Sequence, residues 1–213
     1  MKALFAAPNL KTAIGKRDFT LFNLIYHTAT RIDEILSLTI SSLNLDGKNK
    51  DCITVWGKGS KRRTIFILPE VATIIKAYIK TFHGSAPNPA DFLFFSHYGG
   101  GKKKLTQAAV DKRLKLYTSI ANKKCADIPK NLHSHSLRHA RATHWLEEGL
   151  NIVMIQKLLG HEDINTTMGY VGVSTEQKAK ALETIEDDIA KKMVKKWKRV
   201  KKTDSLVDFL GLK

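Results

Sequence analysis

Cysteine and acidic residues are both in short supply. Cys52 and Cys125 are the only thiols in the chain, too few for a disulfide framework. No apolar leader with a small-residue cleavage pattern is visible, so secretion is not expected and the expected compartment is the cytoplasm. No stretch approaches the roughly 20 uncharged apolar residues of a spanning helix, and no unit of roughly 20 to 50 residues repeats as it would in a solenoid or propeller. Asp and Glu number 20 against 36 Lys and Arg, a net charge of +16. A field of that sign draws polyanions, either nucleic acid or an anionic membrane surface, and the plain alternative is a solvated basic exterior. Without a membrane segment, nucleic acid is the expected partner.

What is present suffices for a core. In 213 residues, 43% are hydrophobic, enough for one buried core with an appendage. Residues 1–16, with Pro8, Gly15 and little periodicity, read as a linker or arm. From Arg17, the residues Phe19, Phe22, Ile25, Tyr26 and Ala29 recur at helical spacing. Ile32, Ile35, Leu36 and Leu38 mark a second helix, so Arg31 falls where one helix passes to the next. Cys52 to Trp56 and Thr64 to Leu68 are rich in β-branched and aromatic residues around Gly57-Lys58-Gly59-Ser60-Lys61, which predicts a hairpin. Ser41 to Leu45, ended by Asp46-Gly47, supplies a third strand.

Helices are predicted from Pro69 to Phe82, Leu105 to Ala121, Ser136 to Gly149 and Asn151 to Gly160, with a short one from Asn165 to Tyr170. Beyond Ser174, Leu182, Ile185, Ile189, Met193, Trp197 and Val200 form the apolar face of one long basic helix. Thr203-Asp204-Ser205 then breaks it before the apolar Leu206 to Leu210. The expected fold is α+β and mainly α-helical: a helical cluster with a small antiparallel β-sheet.

Moving a DNA phosphodiester requires cations around the nonbridging oxygens, an in-line nucleophile and an acid for the departing oxygen. The sequence offers no obvious acidic cluster for magnesium, whereas Arg, His, Lys and Tyr stand at suggestive places. The strongest local signal is His135-Ser136-Leu137-Arg138-His139. It is followed by Ala142-Thr143, Gly149, Ile155-Gln156, Leu158-Leu159-Gly160-His161, Thr166-Thr167 and Tyr170. This block resembles the second signature box of tyrosine recombinases of the phage-integrase type. Thr28-Ala29-Thr30-Arg31-Ile32-Asp33-Glu34-Ile35-Leu36 is similar to their first box, with Glu three residues after Arg. A glycine commonly precedes that Arg, and Ala29 stands in its place. The resemblance runs from about Arg17 to Ser174, so residues 17–174 are expected to form the catalytic domain.

Given the resemblance, Arg31 and Arg138 are expected to clamp the nonbridging oxygens, since a guanidinium donates two parallel hydrogen bonds and stays charged. The resemblance implies that Tyr170 attacks phosphorus to give a 3′-phosphotyrosine. A phenol with a pKa near 10 needs help to lose its proton, and His135 is the expected helper. His161 is implied to hydrogen-bond a phosphate oxygen. The Gly57-Lys58-Gly59 turn is similar to the segment carrying the family's Lys, so Lys58 is the expected general acid, with Lys61 as competitor. Glu34 and Asp33 are expected to orient Arg31. His139 reads as structural: it pairs with His135 at zinc-like spacing but no third ligand stands nearby, and no metal is expected. Lys61, Arg62, Arg63 and Arg141 are expected to contact DNA. No cofactor is expected, because the phosphotyrosine conserves the phosphodiester's energy.

The implied activity is site-specific DNA recombination, of integrase, transposase or resolvase type, in a prokaryotic cell or a virus-infected host. The implied partners are double-stranded DNA, further copies of the chain in a tetramer on paired sites, and accessory DNA-bending proteins. Relatives usually carry a core-binding domain ahead of the catalytic one, which leaves two readings: an excised fragment or a natural single-domain member. Residues 175–213 are expected to dock on a neighbouring copy or to fold back in cis. The alternatives are a non-catalytic DNA-binding regulator of the same fold, and a type IB topoisomerase or telomere resolvase.

Overall fold

The computed structural model describes residues 1–47, 50–57, 62–96 and 101–160. The long basic helix expected from residue 175, the tail and the helix expected at Asn165 lie outside them. Among the described residues are seven α-helices and one three-stranded antiparallel sheet of order β1-β2-β3; the hydrophobic patterning predicts the sheet and six of these helices.

The central helix α2, Ala13–Thr28, starts where the Thr12 side chain accepts a hydrogen bond from the Gly15 amide at 3.0 Å, satisfying one of the helix's orphan donors. Leu21, Phe22, Leu24 and Ile25 are fully buried along it, as expected of a helix packed on most of its faces. The short α1, Lys2–Phe5, precedes it and buries Leu4 in the main core. Residues 1–16, expected to be a linker or arm, are therefore part of the packed body: Leu4 and Pro8 are buried, and Met1, Phe5 and Ala7 pack against the core, a spacing with little helical periodicity.

Helix α3, Ile32–Leu36, leads through a 3-10 turn at Ile40–Ser42 to β1, Leu43–Asn44. The strand expected from Ser41 is shorter because the Ile40 and Ser41 amides donate to the carbonyls of Asp91 and Pro89, at 3.0 Å each, and not to a ladder. Strand β2, Cys52–Trp56, pairs with β3, Arg62–Phe66, in a register that sets Val55 opposite Arg63 and Ile53 opposite Ile65. The second strand starts two residues earlier than its β-branched run because arginines complete it. Helix α4, Pro69–Phe82, opens with proline at its first position, where the missing N–H costs nothing.

Helix α5, Gln107–Asn122, is capped by Thr106, and α6, Ser134–Glu147, and α7, Ile152–Leu159, complete the fold. Two apolar clusters hold these elements. The larger joins α2, α3, the sheet, α4 and α5. The smaller gathers Ala29, Ala142, Trp145, Ile155 and Leu159, where the end of α2 meets α6 and α7. In the larger one Asp18 is buried but fully engaged: it accepts from Arg17 at 2.7 Å, Arg113 at 2.8 Å and the Tyr117 hydroxyl at 2.9 Å. Burial and then the Asp18 charge push the Tyr117 phenol up to about 12, so it remains a donor in this network.

Candidate active site

Among the described residues Arg138 is the largest fully buried side chain, 1% exposed. Its Nη1 donates to the Ala29 carbonyl at 2.7 Å and its Nη2 to the Leu159 carbonyl at 2.8 Å. Both acceptors stand at helix C-termini, of α2 and α7, where the last carbonyls lack intrahelical partners and the helix dipole is negative. One guanidinium on α6 thus caps two helices, and the ends of those helices supply the partial negative charge that accompanies its burial. Ala29 itself is left-handed, at φ 49° and ψ 28°. That conformation explains the glycine common at this place in relatives of the first box. Here alanine takes it, with its methyl buried in the smaller cluster.

Two residues further on, Arg31 is the N-cap of α3. Its amide donates to Glu34 Oε2 at 3.1 Å, and its Nη1 lies 3.5 Å from Glu34 Oε1. The Arg31 side chain is 44% exposed and, with Asp33, Glu34, Ser37, Trp56 and Gly57, lines an open cleft of about 360 Å³. Burial alone would raise the Glu34 carboxyl. The hydrogen bonds and charge of Arg63, with the amide and charge of Arg31, outweigh it and hold the carboxylate below its ordinary range.

His135 is exposed on the first turn of α6. Its ring meets that of His139 edge to face, 4.3 Å between centroids, and stacks with His133 at 6.4 Å. Partial burial first, then the charges of His139, Arg138, His133 and Arg31, lower its pKa; burial and the Arg138 charge lower that of His139. Both rings are therefore neutral near pH 7, and a neutral His135 can accept a proton. Among the described residues no group of three or more His, Cys, Asp or Glu converges as a metal would require.

The charges of Arg138 and Arg31 both bear on His135. Lys58, Lys61, His161 and Tyr170 lie outside the described residues. Two of the arginines expected on DNA have other occupations. Arg63 donates to both Glu34 oxygens at 2.7 Å. Arg141 pairs with Glu148 at 3.2 Å and lies over the rings of Tyr26 and Trp145. Arg62 is exposed and stacks over Trp56, 5.2 Å from the ring centroid. His144 shares a hydrogen bond of 2.6 Å with the Tyr26 hydroxyl. Sequence reasoning overlooked Trp56 and the inward turn of Arg63, although strand alternation carries a signal for the latter: Arg63 is in phase with Ile65 and Ile67.

Fold and geometry together define a helical domain with Arg31 at an open cleft, Arg138 buried between two helix ends and His135 exposed on the same helix as Arg138. The sequence model of the phage integrase family matches residues 1–177, and the chain belongs to that family, the tyrosine recombinases. Tyrosine recombinase XerD of Pseudomonas putida is 35% identical over 176 residues, covering 82% of this chain and 55% of the relative. XerD of Staphylococcus saprophyticus is 35% identical over 177 residues, covering 82% of this chain and 56% of the relative. The chain thus spans about half the length of these relatives. Among solved structures, XerA recombinase aligns with a TM-score of 0.68 at 23% identity, over 86% of this chain and 62% of that one. The catalytic domain of bacteriophage HP1 integrase aligns with a TM-score of 0.55 at 22% identity, over 85% and 89%. XerH recombinase bound to its difH substrate aligns with a TM-score of 0.66 at 21% identity, over 87% and 52%. The α+β fold is therefore that of tyrosine recombinase catalytic domains.

Proposed function

We propose that this chain is a site-specific recombinase that cleaves and rejoins double-stranded DNA through a 3′-phosphotyrosine. Tyr170 attacks phosphorus, the bond to the 5′-oxygen breaks, and that oxygen leaves with a proton from Lys58 or Lys61; rejoining runs the same steps backward. Arg31 and Arg138 hold the nonbridging oxygens, His135 takes the phenolic proton and His161 adds a hydrogen bond. One phosphodiester is exchanged for another, so the reaction needs no external energy source. The observation that carries this reading is the placement of Arg138. Its guanidinium donates to the carbonyl two residues ahead of Arg31, and it stands on the same helix as His135, so the two boxes, a hundred residues apart in the chain, meet here, which supports the reading. Preorganised cations of this kind act on charge that develops in the transition state.

The DNA-bound relatives and the net charge of +16 support double-stranded DNA as partner. The same reading places the protein in the cytoplasm, as a tetramer on paired sites, with residues 175–213 docking on a neighbouring copy or folding back. It is tested by incubating the protein with a library of nicked duplexes in EDTA, denaturing, and isolating DNA bound to protein. An adduct formed by the wild type and absent from Tyr170→Phe is expected; an equal adduct from the variant, or none from the wild type at any salt, contradicts the reading.

A further inference from the structure

We propose that Arg63 is a positioning residue of this reaction: clamped on Glu34 and lying under Gly160, it ties the β2–β3 hairpin to both segments that hold the arginine pair. The proposal rests on the strand-transfer reading above, and it takes from the DNA a residue that composition alone would leave there.

Strand register turns Arg63 inward. It pairs with Val55, on the face shared by Ile53 and Ile65, whereas Arg62 points out over Trp56. Its side chain is 23% exposed, and the Glu34 side chain that receives it is 6% exposed. The two Nη–Oε distances of 2.7 Å make a bidentate pair, the geometry in which a planar fork matches a planar carboxylate and fixes orientation as well as charge. The same carboxylate receives the Arg31 amide and lies beside the Arg31 guanidinium. Arg63 therefore reaches Arg31 through one shared anion.

Its other contact is with the end of α7. A Cβ built on Gly160 would stand 3.1 Å from Cζ and Nε of Arg63. Gly160 is left-handed, at φ 64°, so glycine is favoured there by backbone conformation, and any side chain would also have to push the Arg63 guanidinium aside by a few tenths of an ångström. The preceding residue, Leu159, supplies a carbonyl to Arg138. One side chain thus touches the segment that starts with Arg31 and the segment that caps Arg138. In the chain it follows Lys61 by two residues, and Gly160 immediately precedes His161. Strand β3, which follows both candidate acids in the chain, is tied by this side chain to Glu34 and to the end of α7.

Arg63→Lys separates the roles, because lysine keeps a charge for phosphate but has no fork for Glu34. The measurements are single-turnover adduct formation on a nicked duplex, DNA affinity against salt, and melting temperature. The expected result is a fall in cleavage of about 100-fold, the scale of a misplacement near 1 Å, with DNA affinity and its salt slope unchanged. Glu34→Gln is expected to lower cleavage in the same way, and the double variant to be no slower than the worse single one. Gly160→Ala should melt lower than Gly149→Ala, which has the same sign of φ and nothing within 4 Å of its Cβ, and the excess should vanish in an Arg63→Ala background.

Cleavage by Arg63→Lys at the wild-type rate overturns the proposal, as does loss of about one unit of salt slope in Arg63→Ala, the mark of a phosphate contact. A wild type that forms no adduct overturns the functional reading instead. The tie itself then stands or falls on the melting cycles, with additive shifts for Glu34→Gln and Arg63→Lys refuting it.

Discussion

Arg138 and Arg31 bring the same charge to one site by opposite means. Arg138 is 1% exposed and hangs from two helix-end carbonyls. The Arg31 side chain is 44% exposed and leans on a carboxylate 3.5 Å away. The first arrangement is rigid and belongs to the fold: removing it uncovers two carbonyls in the smaller core cluster. The second is loose and leaves the guanidinium free to follow a ligand in the cleft. In the proposed centre one arginine is fixed and the other adapts, and the two should fail differently.

Substitution at Arg138 is the largest expected effect. Arg138→Ala leaves two buried acceptors unpaired, at about 1–3 kcal/mol each, and should abolish detectable adduct while lowering the melting temperature by several degrees. Arg31→Ala should lower adduct formation by about 100- to 1,000-fold, the scale of one lost oxyanion donor. It should change stability by less than about 1 kcal/mol, as for an exposed ion pair. Thermal melts and single-turnover kinetics on the same preparations check both, and a similar stability loss at the two positions would break the contrast.

Acidification sharpens it further. His135 and His139 have folded-state pKa values below the ordinary one, so the unfolded chain binds protons first as pH falls. Their stabilising contribution is complete above about pH 6.5 and is lost on descending from there toward the folded values. The melting temperature should fall between pH 7 and 5.5, and less steeply in a His135→Gln, His139→Gln double variant. The smallest effect is expected at Ala29. Relief of left-handed strain, about 1–2 kcal/mol, is offset by the entropy of glycine, about 0.5–1 kcal/mol, and by the lost buried methyl, about 0.8 kcal/mol. Ala29→Gly should thus stay within about 0.5 kcal/mol of wild type, whereas a branched Ala29→Val should destabilise by about 1–3 kcal/mol. Urea unfolding of the three proteins decides this.

The same contrast explains what could be read from the sequence. Helical periodicity and capping residues placed α2, α4, α5, α6 and α7 to within a few residues, because each carries an apolar stripe and a distinct start or stop. The two boxes were visible as motifs. Their meeting was not, since a hydrogen bond from Arg138 to a carbonyl 109 residues away leaves no local pattern. Neighbouring arginines were harder still: Arg62 and Arg63 are alike in composition, and only the pleat separates an exposed cation stacked on Trp56 from one clamped on Glu34. Arg141 likewise reads as a free cation, yet it lies over two aromatic rings and pairs with Glu148. The N-terminal residues were missed for the opposite reason, because Met1, Leu4, Phe5, Ala7 and Pro8 pack them without a sustained helical period.

The central claim is that two differently held arginines serve one tyrosine. It is tested most directly by measuring adduct yield in EDTA and melting temperature together for wild type, Tyr170→Phe, Arg31→Lys and Arg138→Lys. The account predicts an adduct from the wild type alone at early times, with the melting temperature kept in Tyr170→Phe and Arg31→Lys and lowered in Arg138→Lys. Wild-type adduct yield from either lysine variant, or equal loss of melting temperature in both, would contradict it.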